Sequence, residues 1–115
     1  SVLAKMSNQK NRLGFSKISS MITPENMYLS SKKTWTKLKT LELESNNIGG
    51  KGAEYLGSNS TCMRLKTLNL NKNNIDYRGA EYLSKNTTWI RLRRLNLNNN
   101  SIGEVGAEYL SKNAT

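Results

Sequence analysis

From residue 38 onward the apolar side chains recur in two alternating rhythms. In Leu41-Glu42-Leu43 a polar residue separates two leucines, the period-2 spacing of a half-buried strand. In Gly52-Ala53-Glu54-Tyr55-Leu56 the spacing changes, and Ala53 and Leu56 fall on one face of a helix. The whole pattern returns at intervals of 27 residues. Leu38-Lys39-Thr40-Leu41-Glu42-Leu43 is followed by Leu65-Lys66-Thr67-Leu68-Asn69-Leu70 and Leu92-Arg93-Arg94-Leu95-Asn96-Leu97. Behind each run come Asn46, Asn73 and Asn100, then Ile48, Ile75 and Ile102, then Gly-Ala-Glu-Tyr-Leu from Gly52, Gly79 and Gly106. The pattern predicts one strand and one short helix per unit.

Such a unit buries too little surface to be stable alone. Stacked units align their strand leucines in one parallel sheet, and the Ala/Leu helix faces close its other side. Small Gly and Ala at the helix start are expected to let each helix lie close to the sheet. The predicted fold class is an α/β solenoid.

These residues resemble the leucine-rich repeats, specifically the ribonuclease-inhibitor-like class with its long helical unit, and Gly-Ala-x-x-Leu is similar to the GALA-type repeats of bacterial effector proteins. The resemblance implies a horseshoe arc with the parallel β-sheet on the concave face and helices on the convex face. Residues 38–115 then hold three repeats (38–64, 65–91 and 92–115), and residues 1–37 hold a degenerate N-terminal repeat or cap. Tyr28-Leu29-Ser30 and Thr34-Trp35 align with Tyr82-Leu83-Ser84 and Thr88-Trp89. The matching strand half is read at Leu13, Ser16 and Ile18, without an asparagine, and Val2-Leu3-Ala4-Lys5 echoes Tyr82-Leu83-Ser84-Lys85. The chain stops just past a helix without a polar terminal cap. The expectation is a piece of a longer solenoid, with further repeats or end-to-end self-association covering that end.

Composition narrows the chemistry. The 115 residues include no His, one Cys and a single aspartate, Asp76. The commonest general base and metal ligand is therefore missing, and no nucleophile-and-base pair is visible. Cys62 alone makes neither an internal disulfide nor a thiolate zinc site. No enzyme activity, cofactor or metal is expected. Ribonuclease inhibition does not carry over from the resemblance, because those proteins are rich in Cys and acidic residues. A lone Cys suits a reducing compartment; the expected setting is the cytoplasm, with a secreted effector as the alternative. No apolar run approaches the roughly 20 residues of a bilayer span, so no membrane association is expected.

Several repeated columns read as structural. Asn46, Asn73 and Asn100 stand where the chain leaves the strand and turns inward, and an amide there can satisfy stranded backbone groups as an asparagine ladder. Glu54, Glu81 and Glu108 form an outer helix column, with Lys51, Arg78, Lys85 and Lys112 at i,i+3 or i,i+4 spacing to offset repulsion. Tyr55, Tyr82 and Tyr109 are expected between neighbouring helices, hydroxyl outward. Trp35, Cys62 and Trp89 share a column that reads as core filling. Three N-x-S/T triplets begin at Asn59, Asn86 and Asn113. Glycosylation is one reading; the plainer one is that Asn favours a left-handed helix C-terminus.

The candidate recognition surface follows from the resemblance, which assigns binding to the exposed strand residues. These are Thr40, Glu42 and Glu44 in the first unit, Thr67, Asn69 and Asn71 in the second, and Arg94, Asn96 and Asn98 in the third. Charge adds a second feature. Eighteen Lys+Arg against eight Asp+Glu give a formal +10, and residues 1–37 alone carry seven cations and one acid. Where the strands begin, Lys37, Lys39, Arg64, Lys66, Arg91, Arg93 and Arg94 are expected to stack as a basic rim, about 5 Å apart per repeat. The leading reading is a non-enzymatic protein-interaction module for a protein partner, one with an acidic face included. The alternative is electrostatic binding of nucleic acid, RNA in particular, through the rim and residues 1–37. Beyond charge, no RNA-recognition signature or exposed aromatic series supports that alternative.

Overall fold

The computed structural model describes residues 12–14, 38–60 and 62–112. Strands β1 (Arg12–Gly14), β2 (Thr40–Glu42), β3 (Thr67–Asn69) and β4 (Arg94–Asn96) form one parallel sheet in chain order. Helices α1 (Gly49–Ser58), α2 (Tyr77–Ser84) and α3 (Gly103–Lys112) follow β2, β3 and β4. Register is set by the leucine pattern: Leu41, Leu68 and Leu95 lie opposite one another. Backbone pairing runs past the strands, with Leu43 N donating to Asn69 O at 2.9 Å and Ser45 N to Asn71 O at 3.0 Å.

One register differs from the sequence reading. Leu13 lies opposite Leu41, not Leu38, so it holds the central strand position. The alternation Leu13-Gly14-Phe15 matches Leu41-Glu42-Leu43. Placing Leu13 three positions earlier would put Ser16 opposite Leu41, where a parallel strand buries an apolar side chain. The columns at Tyr28, Thr34 and Trp35, and the Asn113 triplet, lie outside the described residues.

Between sheet and helices runs a continuous core. Leu38, Leu41, Leu43, Leu65, Leu68 and Leu70 are fully buried, and Ala53, Leu56, Ala80 and Leu83 close it from the helix side. Each buried leucine stabilises the fold by about 2 kcal/mol. In the last repeat Leu92, Leu95, Leu97, Ile102 and Leu110 are only partly buried.

The repeated Gly-Ala pair joins helix to helix. A side chain at Gly79 would stand 2.6 Å from Cγ2 of its own Ile75 and 3.3 Å from Ala53 Cβ of α1. At Gly106 the corresponding neighbours are Ile102 and, at 3.2 Å, Ala80 of α2. The small pair thus also serves the contact between successive helices. The glycine leaves room for the isoleucine of its own unit and for the alanine of the preceding helix.

Two asparagine ladders fasten the stack. At the strand exit, Asn73 Oδ1 accepts from Asn46 N at 2.9 Å and Ile48 N at 3.1 Å, while its Nδ2 donates to Leu43 O at 2.8 Å and Asn71 O at 3.1 Å. Asn100 repeats this one unit on: it accepts from Asn73 N and Ile75 N and donates to Leu70 O and Leu97 O. Asn46 and Asn73 are wholly buried.

The second ladder runs past the helix ends. Asn86 Nδ2 donates to Leu56 O and Asn59 O, and its Oδ1 accepts from Thr88 N at 2.8 Å and Trp89 N at 3.0 Å. Thr88 Oγ1 also donates to Asn59 O. Asn59 accepts from Cys62 N at 3.1 Å. Asn59 is extended, with φ −66° and ψ 133°, so it does not supply the left-handed residue expected there. Left-handed backbone falls instead at Ser45, Lys72 and Asn99, and at Asn47 and Asn74. The Asn-x-Thr spacing thus follows from inward hydrogen bonding: a glycan on Asn86 Nδ2 would replace one of the two amide hydrogens that donate to Leu56 O and Asn59 O.

Two stability outcomes follow. Asn73→Leu removes the side-chain partner of three buried backbone groups, Asn46 N, Ile48 N and Leu43 O, and should lower unfolding free energy by about 3–5 kcal/mol in urea titrations followed by circular dichroism. Gly79→Ala adds only one methyl, yet it should cost about 1–3 kcal/mol in the same assay, because Ile75 and Ala53 already fill the space.

Candidate interaction surface

The parallel register stacks the exposed strand positions into columns. Thr40, Thr67 and Arg94 form one, and Glu42, Asn69 and Asn96 the next. Arg94 is exposed and the others partly so, because they alternate with the inward leucines. Beyond them, Asn98 N donates to Asn71 Oδ1 at 2.8 Å, and Asn71 Nδ2 reaches Glu44 Oε1 at 3.5 Å. Asn71 N donates to Asn69 Oδ1 at 3.0 Å. The amides of Asn69 and Asn71 are therefore engaged with neighbouring backbone, while Thr67 and Arg94 present less committed groups.

At the start of the strands, Lys39, Arg64, Lys66, Arg91, Arg93 and Arg94 are all exposed. Lys66 N donates to Lys39 O at 2.8 Å, and Arg93 N to Lys66 O at 2.9 Å, which sets these three cationic residues side by side on consecutive strands. None of the six is ion-paired among the described residues. Lys37 lies outside the description. An open depression on this rim is lined by Lys66, Ile90, Arg91, Leu92 and Arg93.

Periodicity did not disclose two rim residues. Met63 and Ile90 are 56% and 76% exposed, more than any other large hydrophobic side chain among the described residues. Each sits beside a column that does read as core: Cys62 is buried and Trp89 packs against the cluster, its Nε1 buried without a hydrogen-bond partner. The available signal was their place next to Arg64 and Arg91.

The convex face is a different surface. Glu81 pairs with Lys85 at 3.5 Å, an exposed i,i+4 contact. Arg78 instead lies over Tyr77, 5.6 Å from the ring centroid, with Nε donating to the hydroxyl at 3.2 Å. That hydrogen bond raises the guanidinium pKa above its ordinary value. Tyr82 is exposed, and Tyr55 and Tyr109 are half-buried. The Lys112 side chain lies outside the description. Among the described residues no group of three His, Cys, Asp or Glu is placed to hold a metal ion, and no helix is long and apolar enough to cross a membrane.

Comparison with known families gives matches to the leucine-rich repeat at residues 36–57, 61–84 and 92–111, more than half the chain. The chain belongs to the leucine-rich repeat family. No curated protein matches it. The family assignment agrees with the strand–helix units and parallel sheet, an arc whose repeats generally serve as protein-binding scaffolds.

The division between committed and available groups on the leucine-rich repeat sheet can be measured. Asn71→Ala should destabilise by about 1 kcal/mol, since the Asn98 backbone loses its acceptor. Arg94→Ala, on the same face, should stay within about 0.5 kcal/mol of the parent in denaturant titrations.

Proposed function

We propose that this leucine-rich repeat chain is a non-enzymatic interaction module that presents its concave sheet face and basic rim to a protein partner. The observation that carries the reading is the run of six exposed cations, none ion-paired among the described residues, beside a polar sheet face whose middle amides are already engaged. Such a surface attracts an acidic partner at long range and holds it in register by polar contacts. The family's general use as a scaffold supports a protein as that partner.

We assign the repeats to the ribonuclease-inhibitor-like class with GALA-type helices; the 27-residue unit and the Gly-Ala contact between successive helices support this. Residues 1–37 are read as a degenerate repeat or cap, a reading supported by the parallel pairing of β1 with β2. Three repeats then occupy residues 38–115. A cytoplasmic setting is retained because Cys62 is buried as a free thiol.

Nucleic acid is the competing partner, favoured by the same cations. Fluorescence anisotropy of labelled RNA and DNA, titrated from low to physiological salt, separates the two. The comparison is a variant with Arg64, Lys66, Arg91, Arg93 and Arg94 changed to Glu. The expected result is binding that fades as salt rises, as for bulk charge attraction. Binding that persists at physiological salt and disappears in the variant would make nucleic acid the partner and overturn the protein reading.

A further inference from the structure

We infer that the two turns leading into β3 and β4 form a docking site for an acidic protein segment that carries apolar side chains among its carboxylates. This rests on the protein-binding reading and deepens it, because it moves the anchor from the concave face to the rim and specifies the partner's chemistry.

The turns are built alike. Leu65 N donates to Cys62 O, and Leu92 N to Trp89 O, both at 3.3 Å. Each closes a four-residue turn whose central residues are Met63-Arg64 in one and Ile90-Arg91 in the other. Each turn is also tied down from inside: Cys62 N donates to Asn59 Oδ1 and Trp89 N to Asn86 Oδ1, both within the buried ladder. Leu65 is buried and Leu92 half-buried beyond them. The outward pair is therefore held at both ends, and little order remains to be imposed on binding.

What each turn presents is an apolar side chain beside a guanidinium. One exposed hydrophobic residue on a surface means little. Here the two most exposed ones hold equivalent positions in successive repeats, each next to an arginine and followed by a second exposed cation, Lys66 or Arg93. The rim depression joins both elements, with Ile90 and Leu92 as its apolar lining and Lys66, Arg91 and Arg93 around them. No Asp or Glu occurs in residues 55–75 or 82–103, so the sequence around both turns offers these cations no carboxylate. A ligand supplies the missing charge.

The apolar half selects among anionic ligands. Single-stranded nucleic acid would use exposed aromatic faces for stacking. The tips here carry Met and Ile, and the nearby Trp89 packs inward against the core. A thioether and a branched aliphatic chain suit leucine-like or aromatic side chains of a polypeptide. Carboxylates on either side of such a side chain would meet Arg64, Lys66, Arg91 and Arg93, with the arginines able to bind them bidentately.

The test uses two short fluorescein-labelled peptides of equal charge, one alternating Glu with Leu and one alternating Glu with Ser. Anisotropy at physiological salt should show the Glu–Leu peptide binding about tenfold more tightly, the effect of covering one exposed side chain of Ile90 size. The double variant Met63→Ser/Ile90→Ser should erase that advantage and leave the Glu–Ser affinity unchanged. Arg91→Gln/Arg93→Gln should weaken both peptides, whereas Arg78→Gln on the convex face should alter neither. All these side chains are exposed, and far-UV circular dichroism checks that each variant is folded.

Equal affinity for the two peptides, or no binding of either, overturns the site. So does a labelled oligouridylate or an anionic phosphatidylserine vesicle that binds more tightly than the Glu–Leu peptide and loses affinity in Ile90→Ser. If the Glu–Leu advantage survives Met63→Ser/Ile90→Ser but is lost in Arg94→Glu, the rim anchor is wrong while protein binding through the concave face stands.

Discussion

The hydrogen bonding of one buried amide per repeat is the constraint on which the rest of this structure depends. Where the chain leaves a strand it must turn inward, through left-handed residues such as Lys72 and Asn74, and the ladder pattern of the sheet cannot continue. Asn73 resolves this by accepting two backbone N–H groups of the preceding unit and returning two donations to carbonyls. Buried backbone groups left without such partners would each cost on the order of 1–3 kcal/mol, comparable with a buried leucine. The leucines supply the driving force for stacking, and the amides make a single register acceptable.

A second ladder, at Asn59 and Asn86, performs the same service at the helix exit. It also determines what the surface can offer. By fixing the turns at Cys62 and Trp89, it leaves the next two residues of each turn with no inward direction available. Met63 and Ile90 are exposed for that reason, and the arginines follow them outward. The rim is thus a by-product of the packing geometry on which particular side chains have been placed.

The concave face is constrained in the opposite sense. Asn69 and Asn71 lie on the partly exposed sheet face, yet their side chains are occupied by backbone groups of their own and the next unit. Polar residues there hold the sheet margin together before they recognise anything. At the rim, six exposed cations have no ion-pair partner among the described residues, and there a ligand's carboxylates would lose least in exchanging water for a fixed partner.

The repeat length, the strand and helix positions of residues 38–112, the inward leucines and the asparagine at the strand exit were legible in the sequence, because each is a periodic demand repeated three times. Three things were decided only in the folded stack. Leu13 pairs with Leu41 because only that register opposes two strand-centre leucines, a long-range condition that a single degenerate unit does not reveal. The Gly-Ala pair also serves the neighbouring helix, a contact between residues 26 positions apart, as in Ala53 and Gly79. Asn59 and Asn86 turn inward as a second ladder, so an apparent glycosylation signal is a hydrogen-bonding pattern. Periodicity specifies which residues face the core within one unit; which side chains a neighbouring unit covers, and which it leaves exposed like Ile90, depends on the stacking itself.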